Sequence, residues 1–361
     1  MKNKDVLNYF LLLLFLSVNS FAAERYEFYT GARQMGMGGA SIAVVNDETA
    51  LIQNPAALGK LREKYLTLVD PEVHMGETTA QILKDKDYDL TKTMDPQDLL
   101  DILNANPDKH FHSKVQLFPS LVFPNFGIGL LASYNYDAEV TSATSEYNLR
   151  YRNDYGVLLG YNFRFFDGII KLGFNAKYIN RVEIDDQYPT TSTGMAWKDI
   201  VNEGTAIGSD VALMMTGPWK YLPTLALVLK DVGDTSYSLG GGMFYSGRPE
   251  PTKTDQTLDV GFSLSPILGK YSRMQLVAEY RDVMTDDDDE VTARRLHYGL
   301  EFNFFDKLFL RGGMNQGYWT AGAEVASENM QFQFAAYGEE IGTRDAERED
   351  RRYIFKFALR F

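Results

Sequence analysis

The chain has 361 residues, no cysteine and a formal net charge of −13, with 13% aromatic residues, 30 glycines and a mean hydropathy of −0.27. The missing cysteines exclude a disulfide scaffold, a thiol-ligated metal and a lipid-modified N-terminal cysteine, and the acidic balance argues against nucleic acid as a partner. A chain rich in Tyr, Phe and Gly but only moderately apolar fits an all-β transmembrane barrel, in which only every second strand residue faces lipid.

Residues 1–22 read as a secretory signal peptide: Lys2 and Lys4 precede an apolar run from Tyr9 to Val18, and Ser20 and Ala22 place cleavage after Ala22. The run is too short for a membrane anchor. The mature segment 23–63 carries GARQMGMGGASIAVVNDETALIQNPAAL, Gly31 to Leu58. Gly36, Gly38 and Gly39 raise the possibility of a phosphate-cradling loop. The spacing lacks the preceding strand, the third glycine and the acidic residue of a dinucleotide fingerprint.

From residue 64 to 361 the chain alternates. Tyr155, Val157, Leu159, Tyr161 and Phe163 share one parity, against Asp154, Gly156, Gly160, Asn162 and Arg164 on the other. Similar runs occur at Ile170–Tyr178, Leu296–Phe304 and Tyr353–Phe361, the last closing on an aromatic residue. Counting them gives about fourteen strands, an even number as bacterial barrels require, beginning near 64, 113, 125, 147, 168, 204, 222, 256, 271, 292, 307, 317, 329 and 351. With the C-terminus in the periplasm, one set of connections is short. The outer set, 76–112, 137–146, 184–203, 233–255, 284–291 and 342–350, is mostly long, with Asn315-Gln316-Gly317 as a tight hairpin. In the first outer loop Asp95 caps and Pro96 starts a helix near 95–104 that carries Leu99, Leu100, Ile102 and Leu103. Pro119 reads as the one proline inside a spanning strand, where it removes a ladder hydrogen bond and marks either a bulge near the membrane interface, where water can satisfy the orphan carbonyl, or an inward kink.

Other clusters carry less. Asp286 to Glu290 lacks the ligand spacing of a calcium loop and reads as a solvated outer loop, bridged to lipopolysaccharide by cations. His110 and His112 have no third zinc ligand in sequence. His297 points inward beside Glu301, but no triad is placed, so no catalytic residue, metal or cofactor is expected. The inward charges Arg150, Arg152, Arg164, Lys171, Lys177, Arg181, Glu279, Arg281, Glu301, Arg311 and Glu324 read as luminal ion pairs.

The run from Gly31 to Leu58, with Asn54-Pro55-Ala56 near its end, resembles the N-terminal hatch of the outer-membrane long-chain fatty-acid transporter superfamily, including its conjugal-transfer and secretion-linked branch. The stretches from Leu225 (LALVLKDVGDT), Ala278 (AEYRDV) and Gly312 (GGMNQGYWTAGAEV) resemble its strands. The resemblance implies a barrel of 14 strands in the bacterial outer membrane, with Gly36, Gly38, Gly39, Asn54, Pro55 and Ala56 in a luminal plug. It also implies a non-enzymatic passive uptake of fatty-acid-like or aromatic hydrophobic molecules, capture at an outer-loop helix through Leu99, Leu100 and Leu103, and lateral release at a kinked strand, here Pro119. Outer-membrane lipid and lipopolysaccharide would be its surroundings. The alternative is a structural barrel with a secretion or conjugation partner.

Overall fold

A computed structural model of the chain describes residues 26–85, 95–245, 247–284, 292–342 and 346–361. The signal-peptide reading and the Asp286–Glu290 cluster lie outside the described residues.

Seventeen paired segments form fourteen antiparallel strands, because three strands are interrupted at a proline. Strand β1 comprises Tyr65–Val69 and Glu72–Gly76, and β2 comprises Phe111–Leu117 and Ser120–Phe123. Then follow β3 (Phe126–Thr141), β4 (Glu146–Phe165), β5 (Ile170–Pro189), β6 (Asn202–Thr216) and β7 (Thr224–Lys230). Strand β8 comprises Thr257–Leu264 and Ile267–Gly269, and β9 is Ser272–Tyr280. The remainder are β10 (Leu296–Phe304), β11 (Leu308–Asn315), β12 (Tyr318–Ala326), β13 (Met330–Glu340) and β14 (Glu349–Arg360). The barrel closes where β1 meets β14, with Thr67 opposite Arg360 and Glu72 opposite Lys356.

The sequence parity becomes an inside and an outside. Leu130, Leu159, Phe174, Leu310, Phe332 and Phe355 are exposed on the outer face, while the intervening Asn162, Lys177, Asp210, Glu279 and Arg311 are buried in the lumen. Apolar outside and polar inside is the polarity of a barrel whose solvent is lipid. Among the described residues no helix is long and apolar enough to cross a membrane. Short turns with positive φ join the strands at Phe166-Asp167, Phe305-Asp306 and Gln316-Gly317, the last a two-residue hairpin between Asn315 and Tyr318.

One stretch of wall stands taller than lipid needs. β3, β4 and β5 run for 16, 20 and 20 residues, against the roughly 9–11 that span a bilayer. The loop expected at 137–146 is therefore only a turn at 142–145, since Ala138, Val140, Tyr147 and Leu149 continue the alternation. Their side chains share the parity of the lipid face, yet they are buried. The cover is the first outer loop, with helices α3 (Glu77–Asp85) and α4 (Pro96–Asn104), together with residues 190–201. Asp95 caps α4 by accepting from the N–H groups of Gln97 (2.9 Å) and Asp98 (3.2 Å). The Trp197 ring packs on Tyr151 and Tyr136, with centroids 4.5 and 5.8 Å apart. Asn104 donates to the Thr190 carbonyl at 3.1 Å.

Leu99, Leu100 and Leu103 are each 0% exposed. They are spent on packing this collar against the wall, so ligand capture by these leucines would require α4 to lift off. Replacing Leu99 and Leu103 by Ala should cost about 2–5 kcal/mol of local stability per site. The barrel should stay heat-modifiable on gels while amide exchange across 96–110 accelerates. Exchange unchanged from wild type would contradict the packing described.

Candidate functional site: a plugged lumen and an interrupted wall

Residues 26–63 fill the barrel. Two short helices, α1 (Ala32–Gly36) and α2 (Ala50–Gln53), and a 3-10 turn at Pro55–Lys60 are joined by tight bends. Asn54 staples them. Its Oδ1 accepts from the Ala56 N–H (2.9 Å), and its Nδ2 donates to the Ile42 carbonyl (2.6 Å). Pro55 then opens the 3-10 turn, where a missing N–H costs nothing.

The glycines of this segment lie against the wall, not around an anion. Gly38 has φ +68°, and a Cβ there would stand 2.2 Å from the Tyr298 carbonyl oxygen. Gly36 meets Gly322 of β12 backbone to backbone, and Met37 packs on Gly299 and Gly313. Lower in the lumen the Pro55-Ala56 peptide lies on Gly173 of β5. Glycine on both partners lets two backbones approach at a distance no side chain allows. The wall half of this contact was not singled out by sequence reasoning, although Gly312-Gly313 stands in one of the quoted strand stretches.

Ion pairs complete the seat. Arg33 of α1 reaches Glu301 (3.1 Å) and Asp47 (2.6 Å), and Arg360 reaches Glu48 at 2.5 Å. Glu279 accepts from the Ser41 N–H at 2.8 Å and pairs with Arg281, which also holds Glu27 at 2.9 Å. Most of the inward charges expected from parity are paired: Arg181 with Asp154 (2.7 Å), Lys177 with Asp210 (2.7 Å), Arg152 with Glu183, and Arg311 with Glu301 and Glu324. His297 points inward but engages the Gly38 carbonyl (2.9 Å), while Glu301 serves Arg33 and Arg311.

A cavity of about 160 Å³ remains between plug and wall. Phe28, Ile42, Ile179 and Tyr237 line it together with the ion pairs of Lys177, Lys230 and Arg281.

The wall has a weak seam. Between β1 and β2, Thr67 pairs with Ser120 and Glu72 pairs with Gln116. The four residues 68–71 therefore face only the three residues 117–119, and the ladder is broken. Pro119 is not alone there, since Pro71 interrupts the neighbouring strand at the other end of the same break, a signal readable in the sequence as Asp70-Pro71-Glu72. On the other side of β2 the register is kept, with Leu117 opposite Ala132, Ser120 opposite Gly129, and the Pro119 carbonyl accepting from the Leu130 N–H at 2.9 Å. The Phe118 N–H, left without a strand partner, donates to Asp70 Oδ1 at 2.7 Å. Exposed Leu68, Val69, Val115 and Leu117 surround the break on the outside. It therefore lies within the apolar belt and not at a rim.

At the outer rim His110 lies near three carboxylates, Asp137 (3.4 Å), Glu139 (3.5 Å) and Asp350 (3.8 Å). His112 and Arg352 also serve Asp137, and Arg348 serves Glu139. Despite opposing desolvation, hydrogen bonds to Asp137 and Glu139 push the His110 imidazolium up to about 9.

The fold and its filled lumen define a closed antiparallel β-barrel with its N-terminal segment inside. Among solved structures the chain is similar to the CymD monoaromatic hydrocarbon channel (10% identity over 92% of this chain and 97% of that one, TM-score 0.56). It is also similar to the Ralstonia pickettii toluene transporter TbuX (12%, 92% and 98%, 0.52) and to a Pseudomonas aeruginosa FadL homologue (8%, 94% and 99%, 0.51). No protein-family model matches the sequence, and no curated protein matches it either. The likeness is one of fold, that of the FadL-like barrels.

Two outcomes test this site. Gly38→Val should unseat the plug without preventing barrel assembly, and single-channel conductance in planar bilayers should rise; conductance equal to wild type would mean the contact does not hold the plug. The second concerns pH. Because the folded value of His110 is raised above its ordinary value near 6.5, its protonation stabilises the rim fully below that value, and the gain is lost as pH climbs through about 9. Proteolytic nicking of the first outer loop should increase between pH 7 and 10 in wild type but not in His110→Gln, by roughly the single-proton dependence of linkage.

Proposed function

We propose that this protein is a bacterial outer-membrane channel for passive uptake of small hydrophobic molecules, which leave the lumen sideways through the break between β1 and β2. The observation that carries the reading is the break itself: Pro71 and Pro119 stand at its two ends, inside the apolar belt, where four residues of one strand face three of the next. In hydrocarbon an unsatisfied backbone group costs several kcal/mol. A break retained there, with Asp70 supplying the missing acceptor, suits a passage more than a defect.

The plug supports the same reading. It is pinned by close backbone contact and ion pairs, so an axial pore is obstructed, and a greasy solute gains by passing directly into lipid without meeting water. The structural neighbours described as hydrocarbon and toluene channels make hydrophobic solutes the class to test first. Membrane lipid around the belt and lipopolysaccharide at the outer rim are the surroundings implied. No reaction is proposed at any of these residues.

Pro119→Val is expected to preserve assembly and surface exposure while depressing uptake of a labelled hydrophobic substrate several-fold, because restored pairing seals the seam. Uptake at the wild-type rate by a fully assembled variant would remove lateral release at this strand. Recovery of a stoichiometric protein in mild detergent, in place of a hydrophobic small molecule, would favour the alternative of a docking barrel for a secretion or conjugation apparatus.

A further inference from the structure

The polar atoms around the break are not all used by the protein. Just on its periplasmic side Thr67 and Ser120 stand directly opposite one another, 1% and 6% exposed, both on the luminal face, and neither hydroxyl has a hydrogen-bond partner. On its outer side Gln116, 1% exposed, donates its Nε2 to the Thr30 carbonyl (2.5 Å) and leaves Oε1 unpartnered. Between these two levels lie Asp70 and the buried ring of Phe118, whose centroid is 5.8 Å from that of Tyr29. Buried side-chain oxygens are nearly always partnered, and leaving one unmade is costly. Three of them bracketing one interruption in the ladder mark a place prepared for a polar group.

We infer that the luminal face of this break is a binding site for the head group of an amphiphile, and that the head is a neutral hydrogen-bond donor, an alcohol or phenol hydroxyl. The inference rests on the lateral-exit reading and names its substrate class. Gln116 Oε1 can only accept, while the Thr67 and Ser120 hydroxyls can donate or accept. A hydroxyl, which both donates and accepts, suits either level of the break. A carboxylate head would be set beside Asp70 and Glu72, which already surround Lys356 at 3.6 and 3.7 Å. An ammonium would meet Lys356 itself and Arg360, the residue opposite Thr67. Either charge would also have to shed its water to enter. A bare hydrocarbon fits the Phe118 ring but leaves the three oxygens unmet. A hydroxyl-bearing molecule meets the ring and, at one level of the break, the oxygens as well.

The test compares labelled 1-dodecanol, dodecane and dodecanoate for saturable binding to the purified, detergent-solubilised protein. Wild type should retain the alcohol about tenfold better than either of the others, the weight of one or two net hydrogen bonds. The double variant Thr67→Val with Ser120→Ala should lose that preference while dodecane binding is unchanged. Wild type without an alcohol preference, or a preference surviving in the assembled double variant, overturns the site. If the double variant fails to assemble, the three-ligand comparison on wild type still decides. The two readings fail separately. Normal uptake by Pro119→Val with the alcohol preference intact removes the exit and keeps the site, whereas Pro119-dependent uptake with no alcohol preference removes the site and keeps the exit.

Discussion

Everything in this structure follows from the rule that backbone N–H and C=O groups facing hydrocarbon must find partners within the protein, because lipid offers none. A sheet meets that rule only by closing on itself, so β1 must meet β14, as it does from Thr67–Arg360 up to Gly76–Arg352. Closure then fixes the polarity. Alternate side chains face lipid and must be apolar, and the others fill a lumen that can be polar. Charges confined there cannot remain single, which is why Arg181, Lys177 and Arg311 each sit within hydrogen-bonding reach of a carboxylate.

The break between β1 and β2 has meaning against that rule. Proline cannot donate to a ladder, and Pro71 and Pro119 stand at the two ends of the stretch where the strands lose their pairing. Asp70 answers one orphaned N–H, from inside the lumen and 1% exposed. The seam is therefore closed by a side chain where the rest of the wall is closed by backbone. Side-chain closure can open by a rotamer change, whereas backbone closure opens only by unpairing strands.

The plug decides what this seam is worth. Its contacts are of two kinds, glycine-on-glycine approach near Gly36 and Gly322, and buried ion pairs such as Arg33 with Glu301. Removing one partner of a buried pair leaves the other charge stranded at a cost of several kcal/mol. The plug is thus fixed in register with the wall, and the luminal space left beside it is small and lined largely by paired charges.

Much of this was legible in the sequence. Period-two alternation placed each of the fourteen strand starts within four residues of those observed, because a strand between lipid and lumen has no freedom to change parity. Asp95-Pro96 announced α4 and Gln316-Gly317 its hairpin, since caps and tight turns are settled by residues next to each other. Alternation could not show that the upper outward faces of β3 to β5 are covered by the first outer loop, burying Leu99, Leu100 and Leu103; lipid and a protein cover select the same apolar residues. Nor could it show that Pro71 and Pro119 border one break, that Gly313 receives Met37, or that Thr67 faces Ser120 across a broken ladder. Those facts depend on register between strands separated by tens of residues. The wall can be read from residue order, because each strand answers to the membrane locally; the plug's seat and the seam cannot, because both are made by residues that only closure of the barrel brings together.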